Sequence, residues 1–274
     1  VDRFSLVDCV GGAAAAGPAA IAAARCAASM GDCWIAMTCR RHPGPAAGDQ
    51  KPIDLPRGRI IADYDRIAPH INVGYALMFP GRDRFMRAHV LPRLLIEPGQ
   101  VVLDLCCGAG HNLPLLSQAT GPMGRVIGVD FSSGMLATAR QRVAAAGLSN
   151  VTLIEGDAYA LPALLAGQPP IDRVLCSFGI GLMTDAVAFL QAARAVMRIG
   201  ARIALIDQVP LTGILRILNP IVYAAMSPIP VNNVAIFQLA ERGLAVVPTV
   251  FAQVETSRHH AGMLVVASGV AAVP

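Results

Sequence analysis

From Gly58 onward the chain alternates between two hydrophobic periods. Residues 60–79 and 82–95 carry apolar side chains at helical spacing. These are Ile60, Ile61, Tyr64, Ile67 and Ile71, then Phe85, Met86, Val90, Leu94 and Leu95, with Pro80-Gly81 between the two sets. Residues 101–105 form a short apolar run, the mark of a strand buried on both faces. A helix opens at His111 and tolerates Pro114 in its first turn. Gly121-Pro122 and Gly124 turn the chain into a second strand, 125–129. Ser132 or Ser133 caps the next helix, which carries Met135, Leu136, Ala139 and Val143 on one face and stops at Gly147. Residues 151–155 and 171–176 read as strands, 185–198 as a helix ended by Gly200, and 201–206 as a fifth strand. Buried strands alternating with helices predict a parallel sheet wound on both faces. Near the end, 233–242 read as a helix, and 245–255 and 263–268 as strands joined through 256–262. So short a link makes a hairpin, so at least one of the last strands is antiparallel.

Before Pro56 the texture differs. Residues 1–56 are rich in Ala, Gly and Pro and end in the turn-prone run His42-Pro43-Gly44-Pro45. They are expected to be a poorly ordered segment or an upstream extension of the natural start, and the domain to occupy 57–274. The apolar stretch 10–29 is mostly Ala and Gly and is broken by Pro18 and Arg25, so it predicts neither a membrane span nor a secretory signal.

Composition narrows the classes. Apolar residues make up 54% and charged residues 15%, enough for a large core. A net charge of +4, nearly all arginine, falls short of a nucleic-acid-binding footprint. The seven cysteines include no C-x-x-C pair, which excludes a disulfide framework or a zinc site and fits a reducing, cytoplasmic setting. No metal site is expected.

The chemistry concentrates at Val101-Val-Leu-Asp104-Leu-Cys106-Cys107-Gly108-Ala-Gly110. A buried strand runs into a glycine turn that opens a helix, where free N–H groups and the positive dipole end face a ligand. A dinucleotide needs a third small residue after Gly110, but His111, Asn112 and Leu113 follow. Asp104 would repel a pyrophosphate and would favour a cationic ligand. Asp130 ends the second strand, twenty positions after Gly110, where a carboxylate reaches a ribose. Asp157 follows the third strand and Cys176-Ser177 ends the fourth.

These residues resemble class I S-adenosylmethionine-dependent methyltransferases. The segments VLDLCCGAG (102–110), VIGVDFSSGML (126–136), EGDA (155–158), CSFGIGLMTD (176–185) and RIALID (202–207) carry the resemblance, with Tyr64-Asp65 upstream. They are similar to ubiquinone/menaquinone C-methyltransferases and bacterial phosphatidylethanolamine N-methyltransferases. The resemblance implies a doubly wound α/β fold of seven strands, Rossmann-like, with the last strand antiparallel. It implies S-adenosyl-L-methionine as cofactor, with Asp104, Gly108 and Gly110 along the methionine moiety. Asp130 would hold the ribose, with Phe131 against the adenine. Asp157 and Ala158 would meet the adenine edge, and Cys176 or Ser177 would lie near the methionine end. The family usually has a small residue, mostly glycine, at the position of Cys106. The implied acceptor is a small molecule or lipid-like compound, a quinone precursor or phospholipid headgroup.

Rival readings are a nicotinamide-dependent oxidoreductase and a non-catalytic S-adenosylmethionine-binding protein. No catalytic residue stands out. His111 reads as a base or, more simply, as a packed histidine. Cys106-Cys107 reads as buried thiols rather than a redox pair. Tyr64 and Tyr75 read equally as acceptor-pocket residues or as helix packing. Residues 211–231 read as a lid over the sheet or as an amphipathic contact with the membrane periphery.

Overall fold

The computed structural model describes residues 57–70, 81–226 and 234–273. The expectations for 1–56, for 71–79 with Tyr75, and for 227–231 lie outside the described residues.

Helix α1 (Arg57–Ile67) ends in a 3-10 turn, Ala68–His70. A second helical segment, α2, runs over 82–94 in three parts: α-helical Arg82–Phe85, a π turn Met86–Val90, and α-helical Leu91–Leu94. Pro92 sits at the start of the last part. It has no N–H to continue the ladder, and the wider turn before it absorbs the missing bond. The rest follows as β1 (Val101–Leu105), α3 (Leu113–Thr120), β2 (Arg125–Asp130), α4 (Ser133–Ala145) and β3 (Val151–Glu155). Then come α5 (Leu161–Leu164), β4 (Ile171–Ser177), α6 (Ala186–Val196), β5 (Met197–Gln208) and α7 (Asn219–Met226). The chain closes with α8 (Val234–Ala245), β6 (Ala252–His259) and β7 (Leu264–Val270).

The seven strands form one sheet in the order β3-β2-β1-β4-β5-β7-β6. β1 to β5 pair in parallel, and β7 runs antiparallel to both β5 and β6. The last strand is therefore the reversed one, as expected. Side chains alternate across the sheet with period two. Leu103, Ile127, Val174, Ile203 and Val265 face one core with Leu161, Phe189 and Leu190 of α5 and α6. Val102, Val126, Leu175, Ala204 and Val266 face the other with Met86, Leu94 and Leu116 of α2 and α3. Both faces are covered, which is why the strands read as continuous apolar runs.

Three boundaries differ from the sequence reading. Met197–Gly200 is extended and joins β5, because Met197 pairs with Ile171 and is buried there. The run 245–251 is not strand: α8 continues to Ala245, and Pro248 sits inside a 3-10 turn, Val247–Thr249. β6 instead occupies 252–259, and the hairpin turns at His260 and Ala261, both at positive φ.

Strand order reverses between β1 and β4, so the crevice opens at the carboxyl ends of these two strands. Every predicted site residue lies at or after the carboxyl end of β1, β2, β3 or β4.

Candidate functional site

The turn after β1 is held by the strand beside it. Cys107 donates its N–H to the Val129 carbonyl at 3.0 Å, and Gly108 donates to Asp130 Oδ2 at 2.8 Å. Ser132 N–H donates to Asp130 Oδ1 at 2.9 Å. Asp130 thus clamps both turns with one carboxylate. Burial raises its pKa, and the Ser132 and Gly108 N–H groups oppose that rise.

Gly108 (φ +52°) and Gly110 (φ +74°) both take left-handed backbone, and they serve different purposes. A Cβ on Gly108 would meet open space in the cleft, the room a ligand needs. A Cβ on Gly110 would lie 2.7 Å from Leu113 Cδ1 and 3.1 Å from Ala139 Cβ. Gly110 therefore allows α3 and α4 to close on the turn, behind the cleft wall. Cys106 also has positive φ, +58°, which accounts for the glycine usual at that position in the resembling family. Phe178, after β4, is a second strained residue in the wall at φ +57°. Such outliers gather where a site needs them.

The cleft wall brings together Cys106, Gly108, Asp130, Phe131 and Ser177 of the predicted set. Tyr64 joins them, its ring 6.1 Å from Phe131 in an edge-on arrangement. Asp104 stands behind the wall. It is fully buried, its Oδ1 accepts from Asn112 Nδ2 at 3.1 Å, and its Oδ2 has no partner. Burial raises its pKa to about 7, against the Asn112 hydrogen bond and Arg82. Cys176 is buried as a free thiol; a hydrogen bond with it, then burial, push the Cys106 pKa up. Asp157 caps the short helix Ala158–Ala160 by accepting from Tyr159 N–H at 3.0 Å, and Ala158 packs into the core. Neither Asp157 nor Ala158 forms part of the wall.

Four further residues shape the site. Asn112 Nδ2 bridges Asp104 and Ser177 Oγ, the latter at 2.8 Å, while its Oδ1 accepts from Arg82 Nη2. Arg82 is only 7% exposed and lies in the wall. Asp65 accepts from Ser132 Oγ at 2.6 Å and from Gly134 N–H at 3.1 Å, tying α1 to the start of α4. Asp207, at the end of β5, accepts from Gly181 N–H at 3.0 Å and Gln208 N–H at 2.7 Å. It fixes the turn Ile180–Leu182, and burial raises its pKa to about 7. His111 is neutral: burial, then Arg142 and Arg82, lower its pKa to about 3. Among the described residues no cluster suited to a metal ion occurs.

This sheet order, with its reversed seventh strand, is the Rossmann-like methyltransferase fold. Residues 102–200 match the methyltransferase-domain family. A demethylmenaquinone methyltransferase of Shouchella clausii is 36% identical over 121 residues, 44% of this chain and 50% of that protein. One from Geobacillus stearothermophilus is 32% identical over 142 residues, 52% and 59% of the respective chains. The chain thus spans about half the length of the curated relatives it matches. Among solved structures, a SAM-dependent methyltransferase of Aquifex aeolicus is similar with a TM-score of 0.53 and 19% identity. The match covers 75% of this chain and 97% of that one.

Proposed function

We propose that this protein binds S-adenosyl-L-methionine in the cleft at the carboxyl ends of β1 and β4 and transfers its methyl group to a quinone-like acceptor. The observation that carries the reading is the Asp130 clamp. One buried carboxylate holds the glycine turn and stands at the wall beside Phe131, where ribose and adenine would lie. The two demethylmenaquinone methyltransferase relatives support the acceptor class. Asp104 argues against a dinucleotide in the same turn, since a buried carboxylate behind it would repel pyrophosphate.

The residues present fit the cofactor. Gly108 leaves backbone open to it, Asp130 supplies a ribose acceptor, and Phe131 with Tyr64 gives an aromatic wall. When bound, the cofactor supplies a methyl already activated by the sulfonium. The chain's own residues orient it and exclude water, which is most of what direct displacement requires. Ser177, which ends β4, and Phe178, which follows it, line the cleft and would stand beside the methionine end. The Asp207-held turn Ile180–Leu182 supports that side.

A lipid-like acceptor brings the membrane periphery into the reading. The helical turn Gly213–Leu218 and α7 leave Ile214, Ile217 and Ile221 at 84%, 71% and 66% exposure. Arg216 is the sole charged residue between Asp207 and Glu241. A cation amid exposed isoleucines suits an anionic lipid surface. No helix among the described residues is long and apolar enough to cross a membrane.

The test is calorimetry with S-adenosylmethionine and NAD, followed by transfer of labelled methyl to a bacterial lipid and metabolite extract. Binding of S-adenosylmethionine with label in a quinone fraction is the expected result. NAD binding without S-adenosylmethionine binding would end the reading, and label in phospholipid alone would replace the acceptor. Asp130→Ala should weaken cofactor binding by about 1.5–3 kcal/mol.

A further inference from the structure

We propose that Arg82, presented by Asn112, is the seat of the cofactor's α-carboxylate. The inference rests on the reading of the cleft as an S-adenosylmethionine site. The methionine moiety is a zwitterion, so its pocket needs a fixed cation as well as acceptors for the ammonium. Among the described residues, Arg82 is the one permanently cationic side chain in the cleft wall. It is nearly buried, which is rare for arginine without a purpose. It comes from the first turn of α2, and Asn112 Oδ1 accepts a hydrogen bond from one of its nitrogens. Asp83 accepts from another at 3.3 Å from the exposed side.

Placement and field agree. Asn112 stands just before α3, at the end of the glycine turn, and its amide nitrogen also reaches Ser177. Arg82 is therefore held at the methionine end of the cleft, away from the Asp130 and Phe131 end. Arg142 lies close by, with its Nε on the Ala109 carbonyl, and together Arg142 and Arg82 help keep His111 neutral. A planar guanidinium matches a carboxylate with two parallel hydrogen bonds. Asn112 closes the arrangement. By holding Asp104 on its other side, it separates that carboxylate from the incoming one.

The test compares three ligands by calorimetry on the full chain: S-adenosylmethionine, its decarboxylated analogue, and 5′-methylthioadenosine. Wild type should bind S-adenosylmethionine at least 10-fold more tightly than the decarboxylated analogue. Arg82→Met should abolish that preference while keeping methylthioadenosine affinity within 2-fold. If Arg82→Met fails to fold, Arg82→Gln, which keeps a donor toward Asn112, should show the same loss. A wild-type protein indifferent to the carboxylate, or a folded variant that keeps the full preference, overturns the proposal. Binding of none of the three by wild type would instead overturn the cofactor reading itself.

Discussion

Asp104 is the residue with the most unfavourable surroundings in the site. It is fully buried with one oxygen unpartnered, and its pKa stands at about 7. A folded-state pKa above the unfolded value, near 4, contributes stability at low pH that is lost as pH rises. The loss runs from about pH 4 through about pH 7. Asp207 titrates in the same window: burial raises its pKa to about 7 against three backbone N–H groups that oppose the rise. The ligand-free protein should therefore lose stability between about pH 4 and pH 7, by up to on the order of 4 kcal/mol for Asp104 alone. Asp104→Asn keeps the acceptor for Asn112 and removes the charge, so urea melts of that variant should show a flatter pH profile. An unchanged slope would mean Asp104 does not titrate there. Cys106 offers a second check. Its φ of +58° costs a non-glycine residue roughly 1–2 kcal/mol. Cys106→Gly should melt close to wild type, because relieved strain offsets the lost thiol contacts, and Cys106→Val should melt well below both.

At the scale of elements, the N-terminal helix is tied to the sheet by a cap. Ser132 accepts from Met135 N–H at 3.1 Å as the N-cap of α4 and donates to Asp65 of α1. Removing the carboxylate leaves the Gly134 N–H and the Ser132 hydroxyl without their partner. Asp65→Ala should cost about 1–2 kcal/mol and, because α1 carries Tyr64 into the cleft, weaken cofactor binding too. Equal cofactor affinity in the variant would uncouple α1 from the site. The sequence announced the capping serine, since N-caps obey local rules, and it announced all five parallel strands, since burial on both faces leaves long apolar runs. It did not single out Arg82, and it carried Asp65 only within the Tyr64-Asp65 resemblance. Arg82 is one of four arginines between residues 82 and 93, and only the fold turns one of them inward. The cover over Asp104 was not legible for a related reason. Strand periodicity puts it on the α3 face, but Asn112, eight residues later, decides that it is covered. Pro248 was the local signal that could have kept 245–251 out of a strand.

For the molecule as a whole, the carboxyl edge of the sheet gathers everything that has chemistry to do. The glycine turn, the Asp130 clamp, Arg82 and the Asp207-held turn all meet there, and the apolar stretch after β5 leaves the sheet from the same edge. A quinone-like acceptor held in lipid would have to reach this edge from a surface. The exposed isoleucines of 214–221 would supply the route, since each one inserted is worth about 1–2 kcal/mol of apolar transfer. The protein should sediment with vesicles of phosphatidylglycerol and less with vesicles of phosphatidylcholine, and added salt should narrow that difference because Arg216 acts through charge. Replacing Ile214, Ile217 and Ile221 together by serine should lower the vesicle-bound fraction by at least about 100-fold in partition coefficient. Affinity for S-adenosylmethionine should stay the same, because none of the three lines the cleft. A triple variant that partitions like wild type would separate the acceptor route from this face, and a wild type that ignores both vesicles would place the acceptor in solution.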